Sequence, residues 1–514
     1  MTMSTAYRTF LTVIVMTGAF MAILDTTVVD VVIPKMMGPL STDLYGVQWV
    51  ITAYMIAAAA GLLLTHNLGR LIGLKWLFLA GLFIFTASSA MCGLAGSLPE
   101  MVASRVVQGL GEAFIMASAQ TILFAIYPRE KHGLAMGIFA MGVSFAPSIG
   151  PTVGGWITEH LSWRWIFYIN LPVGILNLVA GMFYLPHIAS GQKNFRFNFI
   201  SYTFLCVFTV LILIVLSKGQ QLGWTQSTAI VVMALLAISS FMMYLLSELH
   251  SSHPLIDFSI FKIKEYSLSM GFYFLIMGLS IYQVFYLLPL YYENLKGLTT
   301  FDTGVHMLAF AIFIAILSPG AGILSDRFGP PKVVAASTAL YLYTTFFLIP
   351  SLEYYTPSIR AAIITIPLGI ALGSFFAPVS AMALGPLGPK RDLGVSLMHY
   401  LRFLGGSIGT AVATNTLEMR TAVHFEGMGL IGNDEIRKGF ISQAAHVMAP
   451  FMPQDLAAAR ATGLLKWGQG MHALSHGFQD TFRESFVFAA LGSVFLLLLI
   501  YTTWKKGPRG RLES

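Results

Sequence analysis

One recurrence constrains this chain more than anything else in it. Long apolar runs, each about the length a bilayer demands (roughly 17–25 residues), follow one another from residue 11 to residue 504. They lie near 11–34, 48–65, 75–95, 100–126, 134–157, 164–186, 200–216, 227–247, 267–290, 304–324, 332–350, 360–384, 395–417 and 486–504, which makes 14. Only 10% of the residues are charged, where a soluble domain carries about 25%. Lipid offers no partner to a backbone N–H or C=O, so only helices and closed barrels cross it. Barrel strands alternate in polarity, and these runs are apolar all round. The sequence therefore predicts an all-α polytopic membrane protein with 14 transmembrane helices.

The charges sort by side. With the N-terminus placed in the cytoplasm, the inside connections hold 17 Lys and Arg and the short outside loops hold 4, namely Lys35, Lys218, Lys296 and Arg360. That is the asymmetry that sets orientation, and it predicts that both termini are cytoplasmic. It also accounts for the net charge of +7 without nucleic acid. Arg8 opens a run too long for the apolar core of a cleavable leader, so none is expected. Cys92 and Cys206 both fall in apolar runs, and no structural disulfide is expected.

The chain repeats itself. His66 to Lys75 (HNLGRLIGLK) follows the second run, and Gly322 to Lys332 (GILSDRFGPPK) follows the tenth; they share a Leu, a Gly and a Lys. Two similar halves with an inserted pair follow from this spacing, as in transporters whose site lies between halves at mid-membrane. The expected division is residues 1–190 for the first six-helix half, 191–258 for the inserted pair and linker, and 259–417 with 486–504 for the second half. An outside loop then covers 418–485, and a cytoplasmic tail covers 505–514.

Acids inside apolar runs cost about 2.5–3.5 kcal/mol each on insertion scales and are functional candidates by default. Asp25 and Asp30 lie in the first run, five residues and so about 140° apart on a helix. Asp30 shares a stripe with Thr26 and is a further candidate proton-coupling acid; it is close to the outer end, so plain solvation is the alternative. In the fourth run Arg105 and Glu112 share one face, about 10 Å apart along the axis, with Gln108 near it. Asp25 and Arg105 sit at similar depth, so we expect them to pair in one protonation state and part in another; a permanent structural pair is the alternative. Glu112 lies near mid-membrane and is a second candidate proton carrier; the alternative is a protonated acid bonded to a neighbouring helix. In the ninth run, Tyr282 and Tyr286 are one turn apart and either line a substrate cavity or pack against lipid and helices. Arg402 is buried in the thirteenth run beside Gly405, Gly406 and Gly409, with His399 three residues away, and reads as a structural or gating charge. His472 and His476 have metal-compatible spacing but read better as a solvated helix.

Several segments stand together. They are LDTTVVDVVIP (Leu24 to Pro34), RVVQGLG (Arg105 to Gly111), GPTVGG (Gly150 to Gly155), WRWIFYINLPVG (Trp163 to Gly174) and GILSDRFGPPK. In this order, on these runs, they resemble the 14-span drug:H⁺ antiporters of the major facilitator superfamily, EmrB/QacA type, over nearly the whole chain. The resemblance implies a proton-coupling role for Arg105 with Gln108, Gly109 and Gly111. It implies a conformational role for Gly150, Pro151, Gly154 and Gly155, where glycines allow close helix approach and the proline bends the helix. In the loop motif, Gly322, Asp326, Arg327 and Gly329 are implied to latch the outward-open state through an Asp326–Arg327 pair. Arg70 stands where the first-half copy would carry its acid, so that half's latch is in doubt. Glu112 and Asp30 depart from the family, which has a small residue and an Asn at those places.

The expected function is proton-coupled multidrug efflux by alternating access from the bacterial inner membrane. The substrates would be hydrophobic compounds, cationic ones among them because buried acids outnumber free buried bases. Gln108, Thr26, Tyr282 and Tyr286 would line the cavity. The alternatives are export of a defined metabolite, fatty acid or siderophore, and a membrane protein that transports nothing. No nucleotide loop, metal cluster or Ser/His/Asp set stands out, so neither an enzyme nor a cofactor is expected. The partners would be protons, small hydrophobic substrates and lipid, with a periplasmic membrane-fusion adaptor and outer-membrane channel meeting the 418–485 loop.

Overall fold

The computed structural model describes residues 4–187, 197–431 and 434–505. The expected boundary at 190/191 and nearly all of the 505–514 tail lie outside them, as do the side chains of a few residues within helices, Asp30 among them. The described chain is helical. In order it forms α1 (Thr5–Met36), α2 (Trp49–Ile72), α3 (Leu74–Leu94), α4 (Leu98–Ile126), α5 (His132–His160) and α6 (Asn170–Tyr184). Then come α7 (Phe199–Leu222), α8 (Thr228–His250), α9 (Lys264–Leu295), α10 (Thr300–Phe328), α11 (Pro330–Ser351) and α12 (358–384). The last three are α13 (Arg391–Ile431), α14 (Asp434–Met448) and α15 (Gln454–Lys505).

Local chemistry sets several ends. Ser4 accepts the Tyr7 N–H at the start of α1, and Thr299 accepts the Asp302 N–H at the start of α10, each satisfying a donor that a helix leaves orphaned. Gly73 and Gly329 have φ of 86° and 88°, a conformation that only glycine adopts without strain. They occupy the same place in the two loop copies, so the repeat in the sequence is also a repeat in backbone geometry.

Length and composition mark 12 helices as able to cross a membrane, or 13 with the bent helix α5 counted. The expected 14 is not reached by that measure, and the difference lies in one run, 358–428, which it counts once. Just before that run, the Tyr354 N–H and the Tyr355 hydroxyl meet Ser475 and His472 on one face of the bundle. In its middle, Arg391 lies over Phe124 at the opposite face, and the backbone turns at Gly388. At its end, Glu418 meets Gln220 back on the first face. The run traverses the bundle twice. The 418–485 segment also differs from a separate loop: α13 runs on to Ile431, and α15, about 78 Å long at 1.5 Å per residue, begins at Gln454 and continues without a break into the last apolar run.

The halves meet along α5 and α10. A Cβ on Gly322 would lie 2.2 Å from the Gly133 carbonyl oxygen, and one on Gly137 would lie 2.4 Å from that of Ser318. At the other end Gly155 faces the Phe301 backbone, and Gly304 faces Thr152. Backbones approach this closely only where side chains are absent. The helix α5 bends by 41° between Ala146 and Ile149. Pro151, half-buried, has no N–H to give the carbonyl four residues back, at 147, which is inside the bend. Gly150 and Gly154 pack on Thr27 and Val28 of α1. The pair α7–α8 lies at the periphery, with Leu235, Leu236, Ile238 and Leu249 exposed where lipid would be. It touches α2 through Ser217–Thr52 and α13 through Thr209–Tyr400.

Candidate functional site

The core of the site is one buried network among α1, α2, α3, α4 and α6. Arg105 on α4 is 0% exposed, and its Nη1 lies 2.5 Å from Oδ2 of Asp25 on α1. The same Nη1 donates to Gln108 Oε1 at 2.7 Å, and Nε donates to the Val50 carbonyl on α2 at 3.1 Å. The other Asp25 oxygen accepts from Asn170 Nδ2 on α6 at 2.6 Å. Asn170 also donates to Ser89 on α3 at 3.0 Å, and Gln108 Nε2 reaches the same hydroxyl at 3.3 Å. The Tyr54 ring of α2 lies 3.9 Å from the guanidinium carbon, a cation–π contact in a desolvated place. A buried ion pair is tolerated when further hydrogen bonds satisfy its spare donors and lone pairs, and this one has them. Five helices are thus tied to one charge pair.

Glu112, two turns further along α4, is buried and belongs to a second group. Tyr54 connects the two groups: its ring covers Arg105 while its hydroxyl is within reach of Glu112 and of the Ala22 carbonyl, the latter at 3.5 Å. Arg402 of α13, across the interface of the halves, is near enough to bear on Glu112 electrostatically, and no ion pair joins the two among the described residues. Glu112 Oε2, Arg402 Nε, both ring nitrogens of His399 and the Tyr273 hydroxyl are buried with no hydrogen-bond partner among the described residues. His399 therefore does not partner Arg402; its ring stands edge-on to Phe139.

The other expected site residues take definite places. Thr26 is half-buried and gives its hydroxyl to the Ile23 carbonyl of its own helix. Tyr282 and Tyr286 are half-buried and pack in part against α13. The Tyr282 ring packs where a Cβ on Gly406 would be, 2.8 Å away, and the Tyr286 hydroxyl accepts from Thr414 at 3.0 Å. The expected Asp326–Arg327 pair is replaced by another contact. The Asp326 carboxylate accepts the N–H groups of Gly133 at 2.7 Å and Leu134 at 2.9 Å, at the N-terminus of α5. A helix N-terminus presents unsatisfied donors and positive potential, so it takes the carboxylate in preference to an exposed Arg. Arg327 instead lies over Phe328. At the equivalent place in the first half stands Arg70, whose charge bears on Asp392 in the first turn of α13. His472 and His476 bond to different groups, Tyr355 and Gln479.

Two members of the network carried no individual signal in the sequence. Asn170 lies inside WRWIFYINLPVG, which marks the segment but not the residue. Tyr54 lies in an alanine-rich stretch, and only its neighbours in space give it meaning. Pairing alters the count of buried charge from which cationic substrates are expected. Asp25 is neutralised by Arg105, and the buried charge without an ion-pair partner among the described residues includes a base, Arg402.

A bundle of two glycine-packed halves around buried charged groups defines a membrane transporter, and the comparisons give its family. The Major Facilitator Superfamily model matches residues 15–410, and the chain belongs to that family. It is 29% identical over 506 residues to the multidrug export protein EmrB of Haemophilus influenzae, covering 97% of this chain and 96% of that one. It is 29% identical over 411 residues to the fatty acid resistance protein FarB of Neisseria gonorrhoeae, covering 79% of this chain and 80% of that one. The solved structure of the proton:xylose symporter XylE, bound to 6-bromo-6-deoxy-D-glucose, superposes with a TM-score of 0.61 at 14% identity, covering 98% of this chain and 97% of that one, and shows the shared fold. The relatives named EmrB support the EmrB type of drug-efflux branch. The chain is a multi-pass membrane transporter and not an enzyme.

Proposed function

We propose that the chain is a proton-coupled exporter of hydrophobic compounds that works by alternating access. The observation that carries this reading is the Asp25–Arg105 pair, buried to 2% and 0% exposure and tied by hydrogen bonds to three further helices. With Asp25 charged, α1, α4 and α6 are held in one arrangement. A proton on Asp25 cancels the charge that holds Arg105, while Arg105 keeps Gln108 and the Val50 carbonyl. The helix α1, which carries Thr27 and Val28 against Gly150 and Gly154 of α5, is then free to move relative to α4. Since α5 is packed on α10 of the other half, that movement is passed to the interface where the halves rock. Glu112 is the second proton site. The proton enters from the side opposite the termini, which the excess of Lys and Arg assigns to the cytoplasm, across the bacterial inner membrane. The helices of 418–485 then stand outside it, placed to meet a periplasmic adaptor.

Efflux of a lipophilic dye from proteoliposomes under an imposed pH gradient tests this. The wild type should accelerate with the gradient. Asp25→Asn, which keeps the shape and the acceptor for Arg105, should lose that acceleration while still exchanging dye across the membrane. An unchanged gradient response in Asp25→Asn would sink the coupling role. A second reading, export of a fatty acid or related metabolite, is favoured by the unpaired Arg402 and is in keeping with the name of the Neisseria gonorrhoeae relative.

A further inference from the structure

Arg402 is a guanidinium at 5% exposure with no ion-pair partner among the described residues, and Nε has no hydrogen bond. An uncompensated buried charge is strongly destabilising, so a guanidinium in this place calls for a partner. Next to it on α13, His399 is 0% exposed with both ring nitrogens unbonded. From α9, Tyr273 and Tyr282 act on Arg402, and from α4 so does Glu112. The Tyr273 hydroxyl and Glu112 Oε2 are themselves buried without partners. These orphaned groups come from both halves, Glu112 from α4, Tyr273 from α9, and His399 and Arg402 from α13.

A polar line leads to Arg402 from the bundle face that bears Arg391. Asp392, Ser396, His399 and Arg402 follow at intervals of three or four residues on α13, about 15 Å in all. At its open end Asp392 and Ser396 line a cleft with Thr65 and His66 of α2 and Ser118 and Thr121 of α4. Beside it, Leu62, Leu63, Leu393 and Leu397 line a small apolar cleft that shares His66 and Ser396 with the first. One guanidinium and one imidazole suit a single negative charge, since a doubly charged phosphate would need more base. The leucines make the surroundings of the line apolar near its open end, which matches a ligand that is apolar apart from its charge.

We infer that Arg402, with His399 beside it, is a binding subsite for the carboxylate of an amphipathic organic acid, and that Glu112 is the internal counter-charge which the ligand replaces. The carboxylate takes the fork of Arg402 in a bidentate pair, the geometry that a guanidinium offers and an ammonium does not. The inference rests on the exporter reading above and names the class of substrate it would move.

The test uses the full chain in lipid nanodiscs and three probes of equal chain length: decanoate, decanol and decyltrimethylammonium. Binding is read by scintillation proximity with empty discs subtracted. The wild type should bind decanoate at least tenfold more tightly than either analogue. Arg402→Gln should lose that tenfold preference while binding decanol as before, which also shows that the variant is folded. Glu112→Gln, which removes the competing charge, should tighten decanoate several-fold and leave decanol unchanged; it decides the matter alone should Arg402→Gln not fold. No preference in the wild type, a preference that survives in Arg402→Gln, or weaker decanoate binding in Glu112→Gln would each overturn the inference. The exporter reading is judged separately. Gradient-driven efflux of a dye with no preference for decanoate leaves it standing and removes the subsite, whereas no gradient-driven movement of any compound removes the exporter and leaves the binding data to decide the subsite.

Discussion

At the scale of single residues, the balance between the two members of the buried pair is asymmetric. Arg105→Ala strands the Asp25 carboxylate, and breaking a buried pair from one side costs about 3–5 kcal/mol. Asp25→Asn leaves an acceptor for Nη1 and a neutral group in the same place. Thermal melting should therefore rank Arg105→Ala well below Asp25→Asn, and the double variant should recover a large part of the loss. Equal losses in all three would mean that the charge pair contributes nothing of its own. Tyr54 separates two contributions. Tyr54→Phe keeps the ring over Arg105 and drops the hydroxyl near Glu112, whereas Tyr54→Ala also removes a cation–π contact of about 2 kcal/mol for a desolvated site. The melting temperature should fall clearly further in Tyr54→Ala, while a change confined to gradient-driven transport is expected in Tyr54→Phe.

At the scale of elements, the glycine contacts between α5 and α10 determine how closely the halves can pack. A Cβ at 322 would meet the backbone of Gly133, which cannot rotate away as a side chain can. Gly322→Ala should therefore cost about 1–3 kcal/mol as overpacking and slow transport. Gly320→Ala is the matched control, because nothing lies within 4 Å of its Cβ position; two residues apart on one helix, the two variants should differ in melting temperature and in rate. The connection between α8 and α9 offers a different check. There Asp257 pairs with Lys390 at 2.6 Å, and the contacts with Lys390 and Ser259 hold its carboxyl down at about 2. A lowered carboxylate pKa contributes stability that is present above the ordinary value of 3.8 and is lost as pH falls towards 2. Between pH 5 and 8 the pair is constant. Both partners are well exposed, so Asp257→Asn should cost less than about 1 kcal/mol. Its pH profile of transport should overlay that of the wild type, and a displaced profile would place a coupling group in this connection.

At the scale of the molecule, the double passage of 358–428 makes a topological prediction. With Cys92 and Cys206 replaced by Ser, single cysteines at Thr356 and Glu418 should react with a membrane-impermeant maleimide from the same side, and one at Lys390 should react only from the other. Labelling of all three from one side would refute the reversal at Gly388. The same architecture explains why α13 and α15 are so long, at 41 and 52 residues. Both exceed a bilayer of roughly 30 Å, so their ends form a helical stalk beyond it. Asp480 of α15 ties that stalk to α13 through His424 at 2.9 Å.

Periodicity and hydropathy suffice for the class of this protein, because a bilayer leaves so few ways to satisfy a backbone. They place the helices, the loop repeat with Gly73 and Gly329, and the costly residues Asp25, Arg105, Glu112 and Arg402. Depth along a helix is legible too, since rise per residue is constant, and it brings Asp25 level with Arg105. Rotation of one helix against another is not legible, and neither is the partner across an interface. That is why Asp326 goes to a helix N-terminus instead of Arg327, why Tyr54 and Asn170 join the network unannounced, and why Tyr282 and Tyr286 face α13. The balance of buried charge belongs to the same level. Counting acids and bases along the chain favours a cationic substrate, but pairing is decided in space, and there Asp25 is neutralised while Arg402 is left facing Glu112 across the two halves.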